Sequence, residues 1–327
     1  MNTALITGVN GQDGSYLAEL LLGRGYRVAG TVREASSLAR IEHLGSRVEI
    51  VRFDLAHGRE IENLLRQFQP AEFYNLAARA SSSELWTDAA LTGEVNGLAV
   101  ARILEAIRAV NPAIRFCQAS SSEIFGEPVE VPQSETTPLR PRNPYGAAKA
   151  YAQWITAQYR EKYSLFACSA ILFNHESPRR GLEFVPRKIC RTAAAISLGL
   201  ERELRLGDLD ACRDWGFAGD YVDALWRMLQ QAEPDDYVIA SGESHSVRQL
   251  CEIAFACVNL DFRQYVVQDS SHHRFHDTSR RRGNPAKAAG ALGWKPSVTF
   301  EQLVGMMVEA DLRLLEISKA QVASESQ

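Results

Sequence analysis

The chain has 327 residues, 46% of them hydrophobic, and carries 36 Lys and Arg against 40 Asp and Glu, for a formal net charge of -4. This length can bury a large core and suits two lobes better than one. The slightly acidic balance excludes a basic field for nucleic acid, and no apolar run is long enough to span a bilayer. The cysteines (Cys117, Cys168, Cys190, Cys212, Cys251 and Cys257) form no Cys-x-x-Cys pair, which fits a reduced compartment and core packing better than a disulfide framework or a zinc site. A strand begins directly after Met1, so the expectation is a cytoplasmic protein with no cleaved signal ahead of the fold.

In chain order, apolar, β-branched-rich runs predict strands at Ala4 to Thr7, Val28 to Val32, Val48 to Phe53, Glu72 to Leu76, Arg115 to Ala119 and Phe166 to Phe173. Between them, Ser15 to Leu22, Gly58 to Phe68, Val95 to Val110 and Tyr145 to Tyr163 carry apolar residues at helical spacing. This alternation predicts an α/β fold: a Rossmann-type doubly wound parallel sheet over residues 1–173. Beyond Asn174 the alternation breaks down, and Pro178, Gly181, Pro186, Gly199 and Gly207 punctuate shorter elements. Residues 174–320 are therefore expected to form a smaller, mixed α/β substrate-binding lobe, with the chain free to cross back between lobes and the substrate in the cleft. No internal repeat or low-complexity tract is present, and Ala320 to Gln327 reads as a frayed polar end.

The first strand runs into Thr7-Gly8-Val9-Asn10-Gly11-Gln12-Asp13-Gly14 and then into a helical pattern. Gly8, Gly11 and Gly14 are spaced Gly-x-x-Gly-x-x-Gly, which keeps Cβ atoms away from a pyrophosphate and presents free N–H groups at a helix N-terminus. Gly8, Asn10, Gly11, Gln12, Asp13 and Gly14 are thus candidate cofactor contacts. At the end of the second strand, Arg33, Ser36, Ser37 and Arg40 could hold a ribose 2'-phosphate, while Glu34 would repel one. The cations favour NADP, with NAD as the alternative. Asp54 and Leu55 after the third strand are placed to meet adenine, and Leu76, Ala77 and Ala78 after the fourth to pass under the riboses, although plain packing explains such strand ends equally simply.

Tyr145-Gly-Ala-Ala-Lys149 spaces a phenol and an ammonium one helical turn apart. The cation is expected to favour phenolate and to make Tyr145 an acid/base near neutral pH. On its own the pair is a common surface pattern; downstream of the glycine turn it points to redox chemistry on a bound dinucleotide.

The glycine turn, Gln118-Ala119-Ser120-Ser121-Ser122-Glu123, the Tyr145/Lys149 pair, Asn174-His175-Glu176-Ser177-Pro178-Arg179-Arg180-Gly181 and Arg213-Asp214-Trp215-Gly216 together resemble the GDP-mannose 4,6-dehydratases of the extended short-chain dehydrogenase/reductase superfamily. The resemblance runs from Thr3 to Asp311. It implies that tightly held NADP takes hydride from C4 of the mannose, a carboxylate removes the C5 proton as the C6 hydroxyl leaves as water, and hydride returns to C6. On this resemblance Tyr145 takes the C4 hydroxyl proton and Lys149 tunes it and holds the nicotinamide ribose. Glu123 acts at C5 and C6, and Ser121, where the family usually has threonine, bonds the C4 oxygen. His175 and Arg180 match cofactor contacts, and Asn174, Lys188 and Arg213 match positions near the nucleotide diphosphate. The resemblance also implies a homo-oligomer, dimer or tetramer, in which Arg179 and Arg180 reach a neighbour's cofactor site.

The chain departs from that pattern after the fourth strand, where Ala78-Arg79-Ala80-Ser81-Ser82 replaces Ala-Gln-Ser-His-Val, Leu85 stands for a serine and Leu91 for a cofactor-contacting tyrosine. The family's Arg-Pro-x-Glu is missing from Ser270 to Gly283, where Arg280, Arg281 and Arg282 are the available replacement cations and nothing replaces the glutamate. These changes keep open a 4-epimerase or reductase acting on a related GDP-sugar, and a non-catalytic NADP-binding protein as a third reading. Glu123 favours elimination over the first alternative, and the intact Ser121, Glu123, Tyr145 and Lys149 set opposes the last. His272, His273 and His276 lack the partner spacing of a metal site, and Trp215 is expected to pack in a core rather than stack on a base.

Overall fold

The computed structural model describes residues 2–33, 37–80, 86, 88–269 and 281–325. Its first half alternates strand and helix: β1 (Thr3–Thr7), α1 (Gln12–Gly23), β2 (Arg27–Val32), β3 (Val48–Arg52), α2 (Ile61–Phe68), β4 (Glu72–Asn75), α3 (Ala89–Gly93), α4 (Ala99–Val110), β5 (Arg115–Ala119), α5 (Pro144–Tyr163) and β6 (Ala167–Leu172). The expected helix from Val95 begins instead as a π-helical segment, Glu94–Leu98, before α4 takes over.

After β6 the chain builds β7 (Asn174–Glu176), α6 (Val185–Ser197), β8 (Leu204–Leu206), β9 (Cys212–Arg213) and β10 (Trp215–Phe217). It then runs through α7 (Ala218–Met228) into β11 (Tyr237–Ile239), which pairs with β6. The last elements are β12 (His245–Ser246), α8 (Val247–Ala256), β13 (Val266–Gln268), α9 (Ala286–Leu292) and α10 (Phe300–Glu325).

Seven parallel strands in the order β11-β6-β5-β4-β1-β2-β3 make the central sheet. Every residue of β6 is buried, as a strand covered on both faces requires, which is why its sequence reads as a continuous apolar run instead of alternating. On one face Leu17 and Leu21 of α1 pack with Val222 and Leu225 of α7 and with Trp294. On the other, Leu64 of α2 and Ile103 and Ile107 of α4 cover the sheet with Ala152 of α5. Residues 218–239 thus return to the nucleotide side of the molecule, a crossing that a single cut at residue 173 leaves out.

The remaining elements form a second core in which Ile189 of α6, Leu250 and Phe255 of α8, and Val304 and Met307 of α10 meet. Trp215 is 4% exposed and stacks on Phe300 at 5.7 Å, so it packs this core as expected. Helices α6 and α10 are also tied by a buried charge cluster, because Asp311, wholly buried, pairs with Arg187 and, at 3.4 Å, with Arg191.

Removing one member of a buried ion pair leaves a charge without compensation. Arg187→Leu is expected to lower the unfolding free energy by about 3 kcal/mol in urea titration. A loss below about 0.5 kcal/mol, the size of an ordinary surface change, would show that the cluster does not hold the lobe together.

Candidate active site

The strand order reverses between β4 and β1, so the loops that leave these two strands diverge and open a crevice at their C-terminal ends. The loop after β1 turns tightly: Gly11 N–H donates to Gly8 O at 2.9 Å, and Gly8 N–H donates to Thr31 O at 3.0 Å. A Cβ on Gly14 would stand 2.3 Å from Gly8 O and 2.6 Å from Val9 Cα, so the turn can enter α1 only with glycine there. Gly11 is the N-cap, and no side chain caps the helix, which leaves its first-turn N–H groups to an anion. Thr7 Oγ1 accepts the N–H groups of Leu76 and Ala77, both at 3.1 Å, and locks the loop after β4 beside the turn. This cradle fits the pyrophosphate of a dinucleotide.

Of the other candidate cofactor contacts, Arg33 is exposed at the end of β2, Asn10 Nδ2 donates to Ser37 O at 2.8 Å, and Arg40 Nε donates to Arg179 O at 2.7 Å. Asp54 caps its own loop by accepting Ala56 N–H at 2.9 Å, and Leu55 is buried in the core, where it packs against the sheet. Ala78 lies on the exit from β4 in the same crevice wall. Ser36, Glu34, Leu85, His272, His273, His276 and Arg280 lie outside the described residues.

A polar network joins the glycine turn to the segment after β6. His175 Nδ1 donates to Phe173 O at 2.7 Å, and its Nε2 is hydrogen-bonded to Asp13 Oδ2 at 2.9 Å. Gln12 donates to His175 O at 3.1 Å and accepts Ser177 Oγ–H at 2.8 Å. Burial alone would depress the imidazole, but the Asp13 carboxylate outweighs it and raises the pKa of His175 above its ordinary 6.5. Burial likewise pushes Asp13 up, yet His175 pulls it below 3.8. Arg180 lies 3.1 Å from the buried Glu176 carboxylate and over the Phe184 ring. Arg179 turns onto its own α1, where it donates to Ser15 Oγ at 3.1 Å and Glu19 Oε1 at 2.5 Å.

The candidate catalytic residues gather at the start of α5. Asn143, in extended conformation, accepts Gly146 N–H at 2.7 Å as N-cap, and Pro144 follows at the first helical position. Gly146 lets the helix approach closely, since a Cβ there would lie 2.5 Å from Glu123 O. Tyr145 therefore stands beside the turn that carries Ser121 and Glu123, with Ser121 Oγ accepting Glu123 N–H at 3.2 Å and near enough to the phenol to draw its pKa down. Glu123 accepts Asn143 Nδ2–H at 2.9 Å on Oε2 and pairs with Arg281 through Oε1.

Burial adds to the spacing argument. Lys149 is 2% exposed and donates to Ala119 O at 2.7 Å, while its ammonium sits 5.7 Å from the centre of the Tyr145 ring. Burial drives the Tyr145 phenol up to about 12, against the pull of Ser121, so the helical spacing to lysine does not by itself make phenolate. Burial also brings the lysine down to about 8, because a desolvated ammonium gives up its proton more easily. Tyr145 remains partly open to the cleft.

The three residues expected near a nucleotide diphosphate are spread along the lobe. Asn174 lies in β7, in register with Trp215; Lys188 is tied to Arg205 O at 2.7 Å; and Arg213 donates to Cys212 O at 2.7 Å. Leu91 lies partly buried in α3. Sequence reasoning missed Asn143, although the Asn-Pro-Tyr order is a readable helix start, and it left the role of Arg281 open among three arginines. Among the described residues no group of three or more His, Cys, Asp or Glu is arranged to hold a metal ion.

The family model for GDP-mannose 4,6 dehydratase matches residues 5–307. GDP-mannose 4,6 dehydratase 1 of Arabidopsis thaliana is 45% identical over 330 residues, covering 97% of this chain and 91% of its own. Among solved structures, the UDP-glucose 4-epimerase of Thermus thermophilus in complex with NAD superposes with a TM-score of 0.82 at 28% identity, over 94% of this chain and 98% of that one. RMD from Pseudomonas aeruginosa complexed with NADPH gives a TM-score of 0.80 at 25% identity, over 96% and 98%.

The Asp13–His175 pair sets a pH window. The raised imidazole contributes stability in full below 6.5 and loses it as pH rises through the folded value. The depressed carboxylate contributes in full above 3.8 and loses it as pH falls through its folded value. The difference in melting temperature between the parent and His175→Gln is therefore expected to be largest between these limits and to shrink in alkali, read by thermal unfolding across pH. A difference that stays flat would exclude a charged pair.

Proposed function

Because this chain belongs to the GDP-mannose 4,6-dehydratase family, we propose that it is a lyase that converts GDP-mannose into its 4-keto-6-deoxy product. The observation that carries this reading is a single cluster: a carboxylate, Glu123, held by the residue that caps the helix of the phenol Tyr145, with the Ser121 hydroxyl on the same turn as the carboxylate. Loss of water across C5 and C6 requires a group that takes one proton and delivers it again, a role for a carboxylate that hydride transfer at C4 alone does not call for.

A nicotinamide dinucleotide held by the glycine turn would supply the hydride chemistry at C4 and C6 of the sugar. Tyr145 takes the C4 hydroxyl proton, and Ser121 bonds the same oxygen and orients it. A phenol raised by burial is a strong base once ionised, and the Lys149 ammonium lying over the ring is the charge that can accompany that ionisation. Lys149 is anchored to β5 through Ala119 O, so it can hold a ribose hydroxyl without moving. Oxidation at C4 acidifies the C5 hydrogen; Glu123 removes it and passes it to the departing C6 oxygen.

The cofactor we assign is NADP. Supporting this are the exposed Arg33 at the end of β2 and the NADPH of the Pseudomonas aeruginosa RMD complex, while the NAD of the Thermus thermophilus epimerase complex keeps NAD as the alternative. Asn174, Lys188 and Arg213 are assigned to the nucleotide diphosphate, and His175 and Arg180 to the cofactor side of the cleft. The described helices include none long and apolar enough to cross a membrane, and all six cysteines are free. Both fit a cytoplasmic enzyme, which we take to work as a homo-oligomer.

Incubation of the protein with NADP and GDP-mannose is expected to yield a product lighter by one water in mass spectrometry; unchanged GDP-mannose would defeat the assignment. Tyr145→Phe should abolish turnover with cofactor affinity nearly intact, and Glu123→Gln should still oxidise C4 while blocking water loss. In calorimetric titration NADP should bind more tightly than NAD, and Arg33→Ala should narrow that preference by roughly tenfold, the weight of one charge-assisted phosphate contact. Equal preference in the two proteins would move the phosphate site away from Arg33.

A further inference from the structure

We propose that Arg281 is a positioning residue for the acid/base carboxylate: its guanidinium holds one oxygen of Glu123 while Asn143 holds the other. The proposal rests on the role given to Glu123 above. Arg281 Nη1 meets Oε1, and Asn143 Nδ2 meets Oε2 at 2.9 Å. One donor on each oxygen fixes both the place and the plane of the carboxylate. Each oxygen keeps a further lone pair for the sugar.

The two ends of the pair differ in environment. The Arg281 side chain is 8% exposed and that of Glu123 is 29% exposed, so the cation is walled in while the carboxylate looks into the cleft. A guanidinium cannot give up its proton, so it stays a hydrogen-bond donor to Glu123 throughout the reaction. The same hold serves both halves of the elimination, since the carboxylate must meet C5 first and the C6 oxygen next. The C5–H bond breaks and its proton goes to Glu123; the C6–O bond then breaks, the same proton leaves in the water, and Glu123 is again a carboxylate. Arg281 exchanges no atom with the sugar.

The backbone behind Arg281 is pinned closely enough to make such a hold accurate. Arg282 N–H donates to Gln133 Oε1 at 3.1 Å and Gln133 N–H to Arg282 O at 2.8 Å. Asn284 N–H donates to Gln133 O at 2.8 Å, and Gly283 N–H donates to Asp214 Oδ2 at 3.1 Å. Asp214, wholly buried, also accepts Ser241 N–H, Ser241 Oγ–H and Gly242 N–H at 2.6 to 3.0 Å. The Arg213-Asp214-Trp215 segment and the loop after β11 thereby serve as the frame on which Arg281 is mounted.

The test uses GDP-mannose deuterated at C5 with the full chain carrying NADP. Arg281→Leu is expected to lower kcat roughly 10- to 100-fold at nearly constant KM, the weight of a charge-assisted hydrogen bond. It should also raise the C5 deuterium isotope effect on kcat, because breaking of that bond becomes slower than the other steps. Arg281→Lys, which restores the charge, should recover most of the rate. A kcat within about twofold of the parent, or a lower kcat with no change in isotope effect, would overturn the proposal. In a double-mutant cycle read by thermal unfolding, the loss caused by Arg281→Leu should shrink in a Glu123→Gln background, and an equal loss in both backgrounds would also overturn it. If the parent leaves GDP-mannose unchanged, the activity assignment fails, and the cycle still decides whether Arg281 holds Glu123.

Discussion

One amide holds the reactive groups of this protein in relation to each other. The carbonyl oxygen of Asn143 caps α5 through Gly146 N–H, and the NH2 group of the same side chain donates to Glu123 Oε2. A capped helix start has a fixed direction, so the phenol two residues on is fixed too. The acid on the neighbouring turn is then set against that phenol by the same residue. Lys149 extends the arrangement one helical turn deeper, where its ammonium anchors α5 to the end of β5. Moving any of the three would disturb the other two.

Burial gives this cluster its chemical character. A phenol raised to about 12 is a poor acid in the folded chain alone, and an ammonium brought down to about 8 is only weakly held in its charged form. The same desolvation strengthens whatever opposite charge comes close, so the site is poised to respond to a charged ligand more sharply than an open surface would. The Asp13–His175 pair shows the other outcome of burial: two partners in contact each stabilise the charged form of the other, and the net shifts go in opposite directions. That pair joins the turn at the start of the chain to the segment beyond β6, so it is at once a tie in the fold and part of the wall of the cleft.

Much of the architecture was legible because its signals are local. A strand covered on both faces must be apolar throughout, and a glycine turn entering a helix is written in contiguous residues; six strands of the sheet and the start of α1 follow from that. The Asn143-Pro144-Tyr145 order likewise announces a helix N-terminus. The seventh strand, Tyr237–Ile239, was not legible, because three residues carry little periodicity and their pairing with β6 depends on a return through α7. The net electrostatic setting of Tyr145 was not legible for a related reason. Spacing reports that two side chains are near, but the sign of a pKa shift depends on how much water both have lost.

Local chemistry in the sequence thus determined the doubly wound sheet, the dinucleotide turn and the identities of Ser121, Glu123, Tyr145 and Lys149. Only the tertiary structure decided that Arg281 faces Glu123, since adjacent cations look alike until the backbone is pinned to Gln133 and Asp214. Contacts between residues far apart in the chain are set by how whole elements pack, and no window of sequence contains both partners.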